Sequence, residues 1–465
     1  MCECSHYPNI ILFFAPIRYS KLTPQSSNTP TLRQRVLKSG SWVLAGYGVS
    51  QLLRFGGNLI LTRLLFPEAF GLMGIFYSIM FGVHMLTDVG ISTSIIQKEH
   101  GNDQKFLNTA WTVQIIRGFV VWVVLCALAF PVANLYAQPV LAAMLPVVGL
   151  CAVIAGFNST KLDSALRNLD AKRVTLINIG VSALGLIIMV ILAWLMHSVW
   201  ALVLGNVIGA CLSLIASHYL LHGTNNKFAW DLDAVKHLQG MGRWIMLSSA
   251  LTFLSSEGAR LMIGAMLDMH QVALYTLAIT MSLMLSKAMD EVAEKVYLPT
   301  YSEIYRNTPK NLKKILYKAR LTIILPSWGM AVLFVFLGSQ IMGVLYDVRY
   351  RGSGPMLEFL GAGSLVGCLW MSYSNALLSM GKAATNTLVT AILVVLQISA
   401  ILIGFHFGGI TGLIIGVAAV NWIMYPVYAY VMYRIGLWHS KLDMILVAAS
   451  VLIMVLAWPH LDKIA

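Results

Sequence analysis

The chain has 465 residues, 58% of them hydrophobic and only 11% charged, with a net charge of +13. A soluble domain carries about 25% charged residues, so this composition excludes a soluble globular protein and requires one that crosses a membrane many times. In a soluble chain such a positive balance would point to nucleic acid; here the excess is read as holding loops on the cytoplasmic side, and no nucleic-acid partner is expected.

Residues 1–36 are read as a cytoplasmic tail. Its apolar run, Ile10 to Ile17, is too short to span, and no small-residue cleavage site follows it. Thirteen spans are then expected, at about 41–62, 69–96, 107–132, 140–160, 174–196, 199–221, 243–266, 271–289, 320–345, 355–380, 384–406, 410–433 and 442–458. The last is short enough to be re-entrant or interfacial. The tail and every second loop are basic, most of all the stretch from Lys295 to Arg320, whereas the intervening loops hold only Arg63, Arg349, Arg351 and Lys463. That alternation places the amino terminus in the cytoplasm.

The first two spans recur. With a constant shift of 202 residues, Gly40 meets Gly242, Trp42 meets Trp244, Leu59 meets Leu261, Leu65 meets Leu267 and Asp88 meets Asp290 (244 − 42 = 202). Internal repeats of this kind mark secondary transporters. The expected organisation is an N-lobe over 37–221, a cytoplasmic linker over 222–242, a C-lobe over 243–435 and an additional C-terminal helix over 436–465.

Four stretches carry a family resemblance: Leu61-Thr-Arg-Leu-Leu-Phe-Pro-Glu-Ala-Phe-Gly-Leu72, Asp88-Val-Gly-Ile-Ser-Thr-Ser-Ile-Ile-Gln97, Asn108-Thr-Ala-Trp111 and Ile116-Arg-Gly118. They resemble the polysaccharide flippases of the multidrug/oligosaccharidyl-lipid/polysaccharide exporter superfamily. The specific likeness covers about residues 36–175 and the topology most of the chain. The resemblance implies an all-α polytopic membrane protein of about 12–13 transmembrane helices, in two pseudo-repeated six-helix lobes around a central cavity. It also implies a substrate, an undecaprenyl-diphosphate-linked oligosaccharide repeat moved across the bacterial inner membrane for exopolysaccharide, capsule or O-antigen assembly. A polysaccharide polymerase and chain-length or export proteins would be its partners.

Charges inside spans are costly and usually face protein or a water-filled cavity. Arg54, in the middle of span one, is the first candidate for binding a diphosphate, because the planar guanidinium grips phosphate oxygens two at a time. Its rival reading is a snorkelling or paired structural arginine. Arg260 lies in the equivalent span of the second copy with Glu257 three residues before it, which makes either a cavity pair or a self-neutralising one. Arg117 completes the substrate candidates, against a helix-packing contact to a backbone carbonyl. His84 and Asp88, four apart, could carry a coupling proton; Asp290 is the repeat-equivalent acid, in a solvated cytoplasmic setting. Glu358 is expected at the periplasmic edge of span ten. Trp42, Trp200, Trp370 and Trp422 are read as sugar platforms or as belt and packing residues.

No catalytic residue is assigned, since no phosphate loop, HExxH or GxSxG pattern is present. No cofactor is expected. Cys126, Cys151, Cys211 and Cys368 fall in apolar runs, and Cys2 with Cys4 is a lone CxC, so no metal site is expected. Rival functions are a cation-coupled multidrug antiporter, which would want uncompensated acids in its spans, a peptidoglycan-precursor flippase, and a membrane glycosyltransferase or polymerase, which would need a large extramembranous loop or domain.

Overall fold

A computed structural model describes residues 32–87, 91–97, 103–167, 170–235, 249–250, 253–293, 297, 300–301, 304–305 and 312–461. They form helices joined by short turns: α1 (Leu32–Leu64), α2 (Pro67–Leu86), α3 (Ile91–Gln97), α4 (Gln104–Leu135), α5 (Val140–Gly156), α6 (Lys161–Arg167) and α7 (Ala171–Met196). Then follow α8 (Trp200–Tyr219), α9 (Gly258–Met266), α10 (Met269–Val292), α11 (Leu312–Leu345), α12 (Ser353–Ser379), α13 (Ala383–Ile435) and α14 (Ser440–Leu461).

Among the described residues nine helices are long and apolar enough to cross a membrane, or ten if the bent pair α5 and α6 is one span. One of the nine, α13, is two helices in fact. Gly408 and Gly409 leave helical geometry, with φ −139° and +55°. The chain turns back there, so that a β-carbon on Gly404 would collide with the carbonyl of Gly412, and one on Gly416 with that of Ala400. These are the expected spans eleven and twelve, packed with backbones touching as small residues permit.

Expected span two, 69–96, is interrupted. α2 ends at Leu86 and the described chain resumes as the separate short helix α3. Thr87 donates both its backbone N–H, at 3.1 Å, and its hydroxyl, at 2.8 Å, to the carbonyl of Val83, closing the last helical bond of α2. The 202-residue repeat is visible in the helix boundaries. Leu64 ends α1 and Met266 ends α9; Pro67 opens α2 and Met269 opens α10.

The described chain divides into two compact units: residues 66–79 with 251–461, and residues 32–65 with 80–250. In the first unit α12 is the hub, 78% buried along its span and packed by α10, α11, α13 and α14. Gly363 lets α12 lie against the backbone of Ala418, where any β-carbon would clash. The first half of α2 joins this unit by crossing α10 on repeat-equivalent positions. Glu68 meets His270 at 3.3 Å, a β-carbon on Gly74 would press on Thr276, and one on Gly71 would collide with the carbonyl of Met269 beside Ala273.

In the second unit α7 packs on α1 and α8, and α5 on α4 and α8. The extended residues after α8 are tied along the first turns of α4: the backbone N–H groups of Lys227, Ala229 and Asp231 donate to the side chains of Asn108, Thr112 and Thr109.

Candidate functional site

Arg54 sits on α1 of the second unit. Gly46 and Gly57 bring α1 onto Thr175 and Leu186 of α7. Arg54 lies on the flank of that contact face, exposed, with no hydrogen bond or ion pair among the described residues. Tyr47, Gln51, Arg54 and Asn58 recur at intervals of four, three and four, which is one side of a helix. The Gln51 amide donates to the Tyr47 hydroxyl at 3.3 Å, confirming the shared side. α1 is not among the nine helices whose length and hydropathy mark them as spans; in the span expected at 41–62, one arginine at mid-depth costs about 2.5–3.5 kcal/mol in hydrocarbon. The stripe therefore suits water, with an uncommitted guanidinium at its centre.

Arg117, on α4, is committed. Its Nη2 donates to the carbonyl of His84 at 2.9 Å and reaches His84 Nδ1 at 3.0 Å; its Nε donates to the Thr87 hydroxyl at 3.4 Å. This is the carbonyl contact that competed with a substrate role. Arginine can only donate, so the facing ring nitrogen must offer its lone pair. His84 and Arg117 are thus in direct contact, bringing one coupling candidate beside one substrate candidate. Asp88, its expected partner, lies outside the described residues.

Glu257 and Arg260 belong to the first unit and form an ion pair at 2.8 Å, their side chains 16% and 21% exposed. The helix bends at Glu257, where φ is −117°. The Ser78 hydroxyl of α2 donates to Glu257 Oε2 at 2.5 Å. Arg260 Nε is buried with no hydrogen-bond partner. Asp290 is partly buried near the end of α10, with an interaction of its own. Of the tryptophans, Trp370 stacks on Tyr428 at 5.1 Å in the core and Trp422 donates to the carbonyl of Ala362 at 3.1 Å. Both are packing residues. Lys172 lies over the Trp42 ring at 5.2 Å. Among the described residues no cluster of three metal-ligating side chains occurs.

Glu358 lies near the start of α12, where span ten was expected to begin, whereas Arg320 lies elsewhere than expected. Glu358 is fully buried, its Oε1 accepting the Ser339 N–H at 2.8 Å. Arg320, expected in a cytoplasmic loop, is inside α11 and fully buried. Its Nη2 donates to Asp443 Oδ1 of α14 at 2.8 Å and to the Leu369 carbonyl at 3.1 Å. Its Nε and Nη1 donate to Ser372 and Tyr373 of α12, and Tyr373 in turn donates to Asp443 Oδ2 at 2.8 Å. The network holds α14 to the hub helix. Asp443 follows Lys441 in an unremarkable turn of sequence, and nothing local to either residue signals the pairing.

Among the described residues the chain is helical, with nine or ten helices able to cross a membrane and helix breaks that repeat at a 202-residue shift, which is the architecture of a multi-pass membrane transporter fold. Within that class, the profile of the family described as "Polysaccharide biosynthesis protein" matches residues 60–355, and the chain belongs to that family. It is 20% identical over 409 residues to the succinoglycan biosynthesis transport protein ExoT of Rhizobium meliloti (strain 1021), spanning 87% of this chain and 82% of ExoT. It is 19% identical over 393 residues to the lipopolysaccharide biosynthesis protein WzxC of Escherichia coli (strain K12), spanning 83% of this chain and 78% of WzxC. Its fold matches an inward-facing multidrug resistance MATE family transporter of the MOP superfamily, with TM-score 0.69 and 15% identity over 83% of this chain and 94% of that one. It also matches the lipid II flippase MurJ in an inward closed conformation, with TM-score 0.68 and 13% identity over 90% of this chain and 97% of MurJ.

Proposed function

We propose that this chain is a flippase that carries undecaprenyl-diphosphate-linked oligosaccharide repeats from the cytoplasmic to the periplasmic leaflet of a bacterial inner membrane, feeding surface-polysaccharide assembly. The carrying observation is Arg54, an exposed and unpartnered arginine inside a span, at the centre of the Tyr47–Gln51–Arg54–Asn58 stripe. A lipid-linked sugar presents a diphosphate, a polar glycan and a prenyl tail. The tail stays in lipid, the glycan needs water, and the diphosphate needs a fixed cation. Arg54 on its polar stripe supplies the second and third requirements together. Family membership supports the pathway, and the relatives ExoT and WzxC are named for transport and biosynthesis of such polymers.

The proposed orientation, with the amino terminus cytoplasmic, rests on the alternation of basic loops. The proposed mechanism is alternating access of two lobes, 37–221 and 243–435, as the repeat suggests. A polymerase and chain-length or export proteins would receive the product. Arg260 is the second cation we assign to the substrate path. Release from Glu257 would make it available, and its unbonded Nε is a donor ready for a phosphate oxygen. Arg117, Asp88 and Asp290 are kept as secondary positions for binding and ion coupling.

The test is replacement of Arg54 in a strain deleted for this protein, reading surface polysaccharide, lipid-linked repeats retained on the cytoplasmic side, and the amount of protein in the membrane. Arg54→Ala should abolish export at normal protein levels, with partial rescue by Arg54→Lys. Full export by Arg54→Ala overturns the assignment. Unchanged polysaccharide in the deletion strain overturns the flippase reading itself and makes cationic-drug efflux the next assay.

A further inference from the structure

The second unit holds a cavity of about 260 Å³ that the Arg54 stripe does not use. It is a half-open cleft lined by α6, the start of α7, the residues after α8 and Leu107 of α4. Six side chains decide its chemistry: Lys161, Ser164, Asp170, Arg173, His222 and Thr224. We propose that this cavity is a binding site for a phosphoryl group, separate from the transport path.

Lys161 is the built element. Its side chain is 7% exposed, and its Nζ donates to the His218 carbonyl at 3.0 Å and to Asn225 Oδ1 at 2.9 Å. Those contacts orient the ammonium and use two of its three N–H donors. Ser164 Oγ is buried and has no hydrogen-bond partner. Arg173 and His222 likewise have no hydrogen-bond or ion-pair partner among the described residues. A cationic fork, an ammonium, a hydroxyl and an imidazole thus converge with donor capacity to spare.

The backbone adds to this. α7 runs 26 residues from Ala171, and its N-cap residue, Asp170, makes no side-chain hydrogen bond to the first turn. The N–H groups of that turn are left for an outside acceptor, and the helix dipole adds partial positive charge. On the opposite wall Gly223 has φ +147°, a conformation that brings its backbone against the aliphatic stem of Lys161.

Each alternative ligand meets an obstacle. A cation would face Lys161 and Arg173 with only Asp170 to welcome it. An apolar ligand would strand the buried donors. A tetrahedral oxyanion matches donors arriving from several directions, and the volume accommodates a diphosphate or the phosphodiester of a lipid headgroup. Both sources share the phosphoryl chemistry. On the proposed orientation the site opens at the cytoplasmic end of the N-lobe, but binding itself requires neither that orientation nor transport.

The experiment uses the purified full-length protein. Sodium pyrophosphate is titrated calorimetrically in detergent, and thermal stability is compared in nanodiscs of phosphatidylcholine and in nanodiscs containing phosphatidylglycerol. Arg173→Glu reverses an exposed charge without removing a buried contact, and size-exclusion profiles confirm that it remains folded. Wild type should bind pyrophosphate, or be stabilised by phosphatidylglycerol over phosphatidylcholine, and Arg173→Glu should weaken the effect by about tenfold. A response to pyrophosphate identifies a soluble phosphate ligand; a response to phosphatidylglycerol alone identifies a lipid headgroup. The titrations are repeated in an Arg54→Ala background, so that pyrophosphate held at Arg54 is removed and a response still lost on Arg173→Glu belongs to this cavity whether or not the transport reading stands. Indistinguishable behaviour of wild type and Arg173→Glu with both probes overturns the site.

Discussion

Asp443→Ala tests whether the buried network of α11, α12 and α14 holds the first unit together. Asp443 and Arg320 are both fully buried and 2.8 Å apart. Removing the carboxylate leaves a guanidinium in a medium that cannot solvate it, and also removes the acceptor of the Tyr373 hydroxyl. Breaking one side of a buried pair typically costs about 3–5 kcal/mol, which lowers the folded-to-unfolded ratio by roughly two to four powers of ten. Asp443→Asn keeps an acceptor in place and should fall between wild type and alanine. Replacing both partners by leucine removes the charge together with its partner and should be far milder than the sum of the single changes. The assay is denaturant unfolding of purified protein, read by tryptophan fluorescence, with wild type, Asp443→Leu, Arg320→Leu and the double change forming a double-mutant cycle and Asp443→Ala and Asp443→Asn measured beside them. A loss below about 1 kcal/mol for Asp443→Ala, or additivity of the two leucine changes, would refute the reasoning.

Other outcomes follow from the same coordinates. His439, just before α14, has its pKa lowered, first by burial and then by the Arg320 and Lys313 charges, against the opposing pull of Asp443 and of its bond to the Lys313 carbonyl. Its folded pKa is below the unfolded value of about 6.5, so the unfolded state takes up the proton first. Stability should therefore be full above that pH and fall as the pH drops below it; His439→Gln should flatten this slope in thermal melts taken across the range. Glu257→Gln should free Arg260 from its pair at a cost of about 1.5–3 kcal/mol, whereas Ser78→Ala should cost about 1 kcal/mol, both by the unfolding assay. Gly404→Leu forces a side chain into the Gly412 backbone and should cost about 1–3 kcal/mol. Gly48→Ala on α1, with nothing within 4 Å, should be neutral within about 1 kcal/mol. Equal effects of the two glycine changes would contradict the hairpin packing of α13.

Arg54 and Arg320 together show what a single sequence yields and what it withholds. Hydropathy located the helices that are long and apolar enough to cross a membrane, because that requirement acts locally, but α1 and α9, in expected spans one and seven, are not among them. The 202-residue shift was legible because both copies keep the same break, Leu64 to Pro67 and Met266 to Met269. Arg54 stood out in the sequence as a mid-span charge, whereas the Tyr47–Gln51–Arg54–Asn58 stripe was found in the structure, although helical spacing places its members on one side. Arg320 was misplaced for a physical reason. The basic run from Lys310 to Lys318 reads as a loop, yet α11 begins at Leu312 and carries its lysines on solvent-facing turns before the span. A helix end and a membrane boundary are different surfaces, and hydropathy marks only the second. The partner of Arg320 is Asp443, 123 residues away, and no local pattern encodes a pairing at that distance. The two arginines therefore look alike in sequence and differ by their surroundings. Arg320 has each of its nitrogens engaged and serves packing; Arg54 has none engaged, and an unpaired guanidinium inside a span is retained at a cost that a passing anion can offset.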